Sequence, residues 1–138
     1  MRMYKVLILP LAEEDIMNNT DYIAFEKKAP ETALELAMGF RNTIAKIEFM
    51  PKQHELDEDE ELAAREIRKC YYKNYKIYFF IDERSSTVYV LRVLHMLVNA
   101  KPLLLNMRLW FCTNHVPILY QSIRNIVEIQ RATWTERI

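Results

Sequence analysis

The sequence predicts an α+β fold in which an antiparallel sheet packs against an N-terminal helical hairpin, in the chain order β-α-α-β-β-β. Two observations carry that prediction. Residues 67–94 hold three short runs rich in Tyr, Ile, Phe and Val, separated by tight polar connections, as consecutive antiparallel strands are. Ahead of them lie two stretches with apolar residues at helical spacing, linked only by Ala29-Pro30.

The first strand is read at Tyr4 to Leu9, an aliphatic run that stops at Pro10. A helix follows over Leu11 to Lys28. Its first turn carries Glu13, Glu14 and Asp15 and its last carries Lys27 and Lys28, both suited to the helix dipole. Ala12, Ile16 and Ile23 share its apolar face. The second helix begins at Pro30, where the missing N–H has no helical partner to lose, and ends before Pro51. Ala33, Ala37, Phe40, Ile44 and Ile47 form its stripe. So short a link makes the two helices antiparallel neighbours, and the sheet is the surface that can bury both stripes.

In the strand region, Ile67 to Tyr72 turns through Lys73-Asn74 into Tyr75 to Ile81. Asp82 to Thr87 then leads into Val88 to Leu94. Asn74 is the residue expected to take a positive φ in the first turn. Tyr75, Ile77, Phe79 and Ile81 alternate onto the helix-facing side, and Lys76, Tyr78 and Phe80 onto the other. On an unbroken strand Arg92 and His95 point to opposite faces; a bulge between them would change that.

The chain is electrically neutral as a whole, so bulk charge points to neither nucleic acid nor membrane. Charge is uneven, however. Residues 65–95 carry seven basic against three acidic side chains, a net +4, whereas 57–61 are five consecutive acids. The acidic run reads first as a solvated loop or helix start, and second as a segment that screens or docks on the basic strands. Two cysteines, Cys70 and Cys112, make no disulfide framework and have no metal-ligand spacing with the three histidines. The apolar stretch 103–120 is broken by Asn106, Arg108, Asn114, His115 and Pro117, so no membrane span is expected. Met1 to Leu11 is no cleavable signal, which places the protein in the cytoplasm. Residues 102–138 form a C-terminal extension. It holds both tryptophans, Trp110 and Trp134, and an amphipathic pattern over Leu119 to Gln130 that reads as partly helical.

The ordered set YKVLILPLAEEDI, PETALELAMGFRNTIAKIEFMP, IRKCYYKNYKIYFFID and VYVLRVLH resembles the RelE/ParE superfamily of toxins from bacterial type II toxin–antitoxin systems, over residues 3–101. The resemblance implies a cytoplasmic growth inhibitor that needs no cofactor and forms a hetero-oligomer with a cognate antitoxin. Members differ in target: ParE-like toxins poison DNA gyrase, and RelE-like toxins are metal-independent endoribonucleases that cut mRNA on the ribosome.

Metal-free RNA cleavage needs a base at the 2′-hydroxyl, an acid at the leaving oxygen and cations around the phosphorane. Lys76 and His95 are the catalytic candidates. His95 is the only histidine of the strand region, and Lys76 resembles the strand arginine with which RelE-like nucleases hold phosphate. Arg68, Lys73 and Arg92 are the candidates for phosphate or partner binding. RelE-like nucleases also carry a tyrosine, or a His-Tyr pair, beyond the last strand. Here Met96 follows His95 and the next tyrosine is Tyr120. That departure favours a ParE-like toxin with a protein target such as DNA gyrase. A ribosome-dependent nuclease is the alternative, and an inactive homologue that only binds antitoxin is a third.

Overall fold

A computed structural model of the chain describes residues 3–107. The chain divides into two units, Met1–Asn99 and Ala100–Ile138. The first holds β1 (Lys5–Ile8), α1 (Pro10–Asp21), a π-helical turn (Tyr22–Glu26), α2 (Pro30–Lys46) and a 3-10 turn (Pro51–Gln53). It continues with α3 (Glu60–Ala64), β2 (Ile67–Tyr72), β3 (Tyr75–Asp82) and β4 (Thr87–His95). The described part of the second unit contains α4 (Ala100–Leu105). Trp110, Cys112, Trp134 and the helix expected over 119–130 lie outside the described residues.

The first helix is shorter as an α-helix than its periodicity suggests. Asn19 Nδ2 donates to the Asp15 carbonyl at 2.8 Å, and Thr20 Oγ1 donates to the carbonyls of Ile16 and Met17 at 2.9 and 3.0 Å. Polar side chains bonded back to helix carbonyls loosen the ladder, and the π turn begins two residues later. Lys28 then takes a φ of 53° and Ala29 N–H closes on the Ile23 carbonyl.

The sheet order is β1-β4-β3-β2. The three consecutive strands β2, β3 and β4 pair antiparallel, as expected, and β1 adds to β4 in parallel, so the sheet as a whole is mixed. Ala12 and Ile16 of α1, Leu36, Phe40 and Ile44 of α2, and Ile47 beyond it bury against Cys70, Ile77, Phe79, Ile81, Val88, Val90 and Val93. Thirteen such side chains are the main source of stability, at about 1.5–3 kcal/mol for each large one removed from water. The opposite face carries buried Ile67, Tyr78, Tyr89 and Leu94.

Two local expectations are corrected. The positive φ of the β2–β3 turn falls on Lys73, at 50°, and not on Asn74. The Asn74 carbonyl accepts Met96 N–H at 2.8 Å, a long-range constraint on the turn that local propensity does not contain. The acidic run is also not simply solvated. Asp59 caps α3, accepting from Glu61 and Leu62 N–H, so part of the run is the helix start that was read. Asp57 and Glu58, however, dock on β2. Asp57 N–H donates to the Ile67 carbonyl at 3.0 Å, and Leu56 forms an antiparallel bridge with Arg68.

Candidate functional site

The site region begins where β1 stops. Pro10 ends β1 and opens α1, so β4 loses its neighbour after Val90, whose carbonyl accepts Leu9 N–H at 3.0 Å. A bulge follows at once: Tyr78 lies opposite Arg92 but Phe79 lies opposite Val90, leaving Leu91 as the extra residue. Asp15 fills the vacated edge. Its Oδ2 accepts Arg92 Nε at 2.7 Å and Val93 N–H at 3.0 Å, and its Oδ1 accepts the second guanidinium nitrogen at 2.8 Å. Arg92 is thus held by a buried carboxylate of this chain. Sequence reading took Asp15 as a first-turn dipole acid. The signal that could have revealed it is its position, three residues after Ala12 and one before Ile16, on the margin of the buried stripe.

The bulge precedes Arg92, so the stretch from Arg92 to His95 is unbroken and their side chains leave opposite faces, as the spacing predicts. His95 stands opposite Tyr75 on the helix side, ring to ring at 5.3 Å and 86°. Tyr75 meets Phe40 edge-on at 4.9 Å, and Phe40 meets Tyr72 at 5.5 Å. Burial pushes the Tyr75 phenol upward in pKa. The Nδ1 of His95 accepts Leu97 N–H at 3.2 Å, an arrangement that assigns the neutral ring proton to Nε2. The only glycine in the chain, Gly39, lies on α2 beside this row, and a Cβ there would collide with the Tyr72 phenol. Neither Gly39 nor Tyr72 stands out in the sequence.

Lys76 lies on the other face, between Tyr71 of β2 and Leu94 of β4. On the same face Lys69 Nζ sits 2.8 Å from Glu58 and 3.4 Å from Asp57. Burial works against its charge, but the two carboxylates outweigh it and hold the Lys69 ammonium above its usual range. Glu58 is shifted down by the same hydrogen bond. Burial, assisted by the Asp57 charge, pushes Tyr78 up to about 12, and burial alone pushes the Cys70 thiol up to about 12. Arg68 donates to the His54 carbonyl at 2.6 Å. The His54 ring packs edge-on against Phe79, and burial followed by the Arg68 charge lowers its pKa. Lys73 lies over the Tyr72 ring at 5.6 Å.

The five candidates therefore occupy separate places. His95 and Lys73 border the aromatic row, Lys76 stands on the opposite face, Arg92 is joined to Asp15 and Arg68 to the 51–54 connection. Among the described residues no group of three His, Cys, Asp or Glu side chains could hold a metal ion. Among them, too, no helix is long and apolar enough to cross a membrane.

Residues 6–97 match the family described as ParE toxin of type II toxin-antitoxin system, parDE. The chain belongs to the ParE toxin family. Its fold is similar to that of a chain in the chromosomal ParDE toxin–antitoxin system from P. aeruginosa, with a TM-score of 0.55 and 15% identity, over 67% of this chain and 96% of that one. A chain of the RelBE2 toxin–antitoxin complex from Mycobacterium tuberculosis is also similar, with a TM-score of 0.49 and 23% identity, over 69% of this chain and 93% of that one. No curated protein matches the sequence significantly. The protein is thus a toxin of a type II toxin–antitoxin system.

Proposed function

We propose that this toxin arrests growth in the ParE manner, by binding a protein target such as DNA gyrase, and that a cognate antitoxin neutralises it in a hetero-oligomer. The observation that carries this reading is the separation of His95 from Lys76 on opposite faces of the sheet. A general base and an acid working across one phosphate must both reach it, and Arg92, the nearest further cation on β4, is engaged by Asp15. The missing tyrosine after His95 supports the same choice.

The test is to induce the toxin in bacteria without antitoxin, map mRNA 5′ ends within minutes, and assay gyrase supercoiling with the purified chain. Growth arrest with inhibited supercoiling and no new 5′ ends is the expected result. Cuts phased to codons and lost in Lys76→Ala or His95→Ala would overturn it in favour of the ribosome-dependent nuclease. Absence of arrest at full expression would identify a homologue that only binds antitoxin.

A further inference from the structure

Helix α2 has two sides, and the core uses only one of them. Leu36, Phe40 and Ile44 turn it toward the sheet. On the outer side Leu34 and Met38 are 63% and 57% exposed, Ala45 continues their line two turns on, and Phe49 lies exposed just beyond the helix. Single exposed apolar side chains are ordinary, but a row of them along one helix marks a surface that meets another protein.

The charges beside this row decide which partner fits. Glu31 and Glu35 lie in its N-terminal half and Lys46 at its C-terminal end, all exposed and none in an ion pair among the described residues. Arg41 is taken up by Glu13 of α1 in two bonds of 2.9 Å. Met38 is the midpoint of α2, which runs from Pro30 to Lys46. A second α2 laid antiparallel about a two-fold axis at Met38 sets each residue before it against the residue equally far after it. Glu31 then comes within one residue of Lys46 of the second copy, and Glu35 within one residue of Asn42. At about 100° per residue all four leave one flank of the row, a flank that this two-fold keeps on the same side, and symmetry makes each pair twice. Met38 meets its own symmetry mate, a contact that a flexible thioether suits. The face is thus self-complementary, as an isologous contact requires.

We propose that the toxin free of antitoxin forms a two-fold homodimer through the outer face of α2, with Met38 at the axis and a Glu31–Lys46 pair on either side of it. Apolar burial along the row supplies the affinity, and the charge pairs set the antiparallel register. The contact is one helix wide, at the small end of specific interfaces, so the dimer is a weak one. The pairing does not depend on which target the toxin takes.

The experiment is sedimentation velocity on the purified full chain across roughly 1–200 μM. Expected is a monomer–dimer equilibrium whose dissociation constant rises about tenfold in Glu31→Lys and in Lys46→Glu. The double variant, which restores both pairs with the signs exchanged, should return it to the original value. That rescue separates lost pairing from a lost fold. In a Cys112→Ser background, with Cys70 buried, Met38→Cys should form a disulfide-linked dimer under copper phenanthroline, and the background protein should not. A chain monomeric at every concentration leaves this face to a different protein and overturns the proposal. So do a dimer insensitive to both charge reversals, a double variant as weak as the single ones, and a Met38→Cys protein that stays uncrosslinked.

Discussion

Asp15 and Arg92 form the contact whose removal tests this account most sharply. The carboxylate accepts two guanidinium bonds and one backbone bond, and the side chains of the pair are only 11% and 15% exposed. Asp15→Ala leaves a guanidinium and the Val93 N–H in a site that excludes most water. Removing one partner of a buried pair costs about 3–5 kcal/mol, and the residual exposure of Arg92 points to the lower part of that range. For a chain of this length such a loss lowers Tm by roughly 10–15 °C. The assay is urea unfolding followed by circular dichroism, with Asp15→Ala, Arg92→Met and the double variant compared at equal m-value. The double variant should be more stable than Asp15→Ala alone, because it removes the stranded cation as well. A loss below about 1 kcal/mol for Asp15→Ala, or a double variant no more stable than the single, would refute the reasoning.

Three further predictions follow from other parts of the molecule. Gly39→Ala should destabilise by about 1–3 kcal/mol through collision with Tyr72, against the gain that helix propensity alone promises; in a Tyr72→Ala background the same change should stabilise, as thermal melts would show. His54 has a lowered pKa, so its neutral form favours the folded state. The stability it contributes is complete above the ordinary histidine pKa and is lost as pH falls through the lowered one. His54→Asn should therefore flatten the stability–pH curve below about pH 6.5, measured by urea midpoints at successive pH values. Deleting residues 102–138 should leave a cooperatively folding chain, since the helix-facing core is built from residues 12–93; loss of a sigmoidal unfolding transition in the truncated protein would count against a self-sufficient N-terminal unit.

Much of the fold was legible because its causes are local and periodic. The two helices follow from apolar spacing, and the second from the proline at its start, and the alternation of Tyr75 to Ile81 assigned the inward face of β3 correctly. The opposition of Arg92 and His95 followed from strand parity alone. Other features depend on partners far along the chain. Asp15 and Arg92 lie 77 residues apart, so nothing near Asp15 distinguishes it from the acids beside it until β1 ends and β4 needs a substitute neighbour. Gly39 looks like a defect in a helix until Tyr72 is placed against it.

The sequence by itself determined the α+β class, the order of the elements, the helical hairpin and the concentration of positive charge on the strands. Only the tertiary structure decided that β1 joins β4 in parallel, that Leu91 bulges, and that Asp57 and Glu58 neutralise Lys69. The physical reason is the range of the interactions. Periodicity and capping act within a few residues and are written directly in the order of side chains. Strand order and the pairing of buried charges arise only when distant segments compete for the same backbone groups.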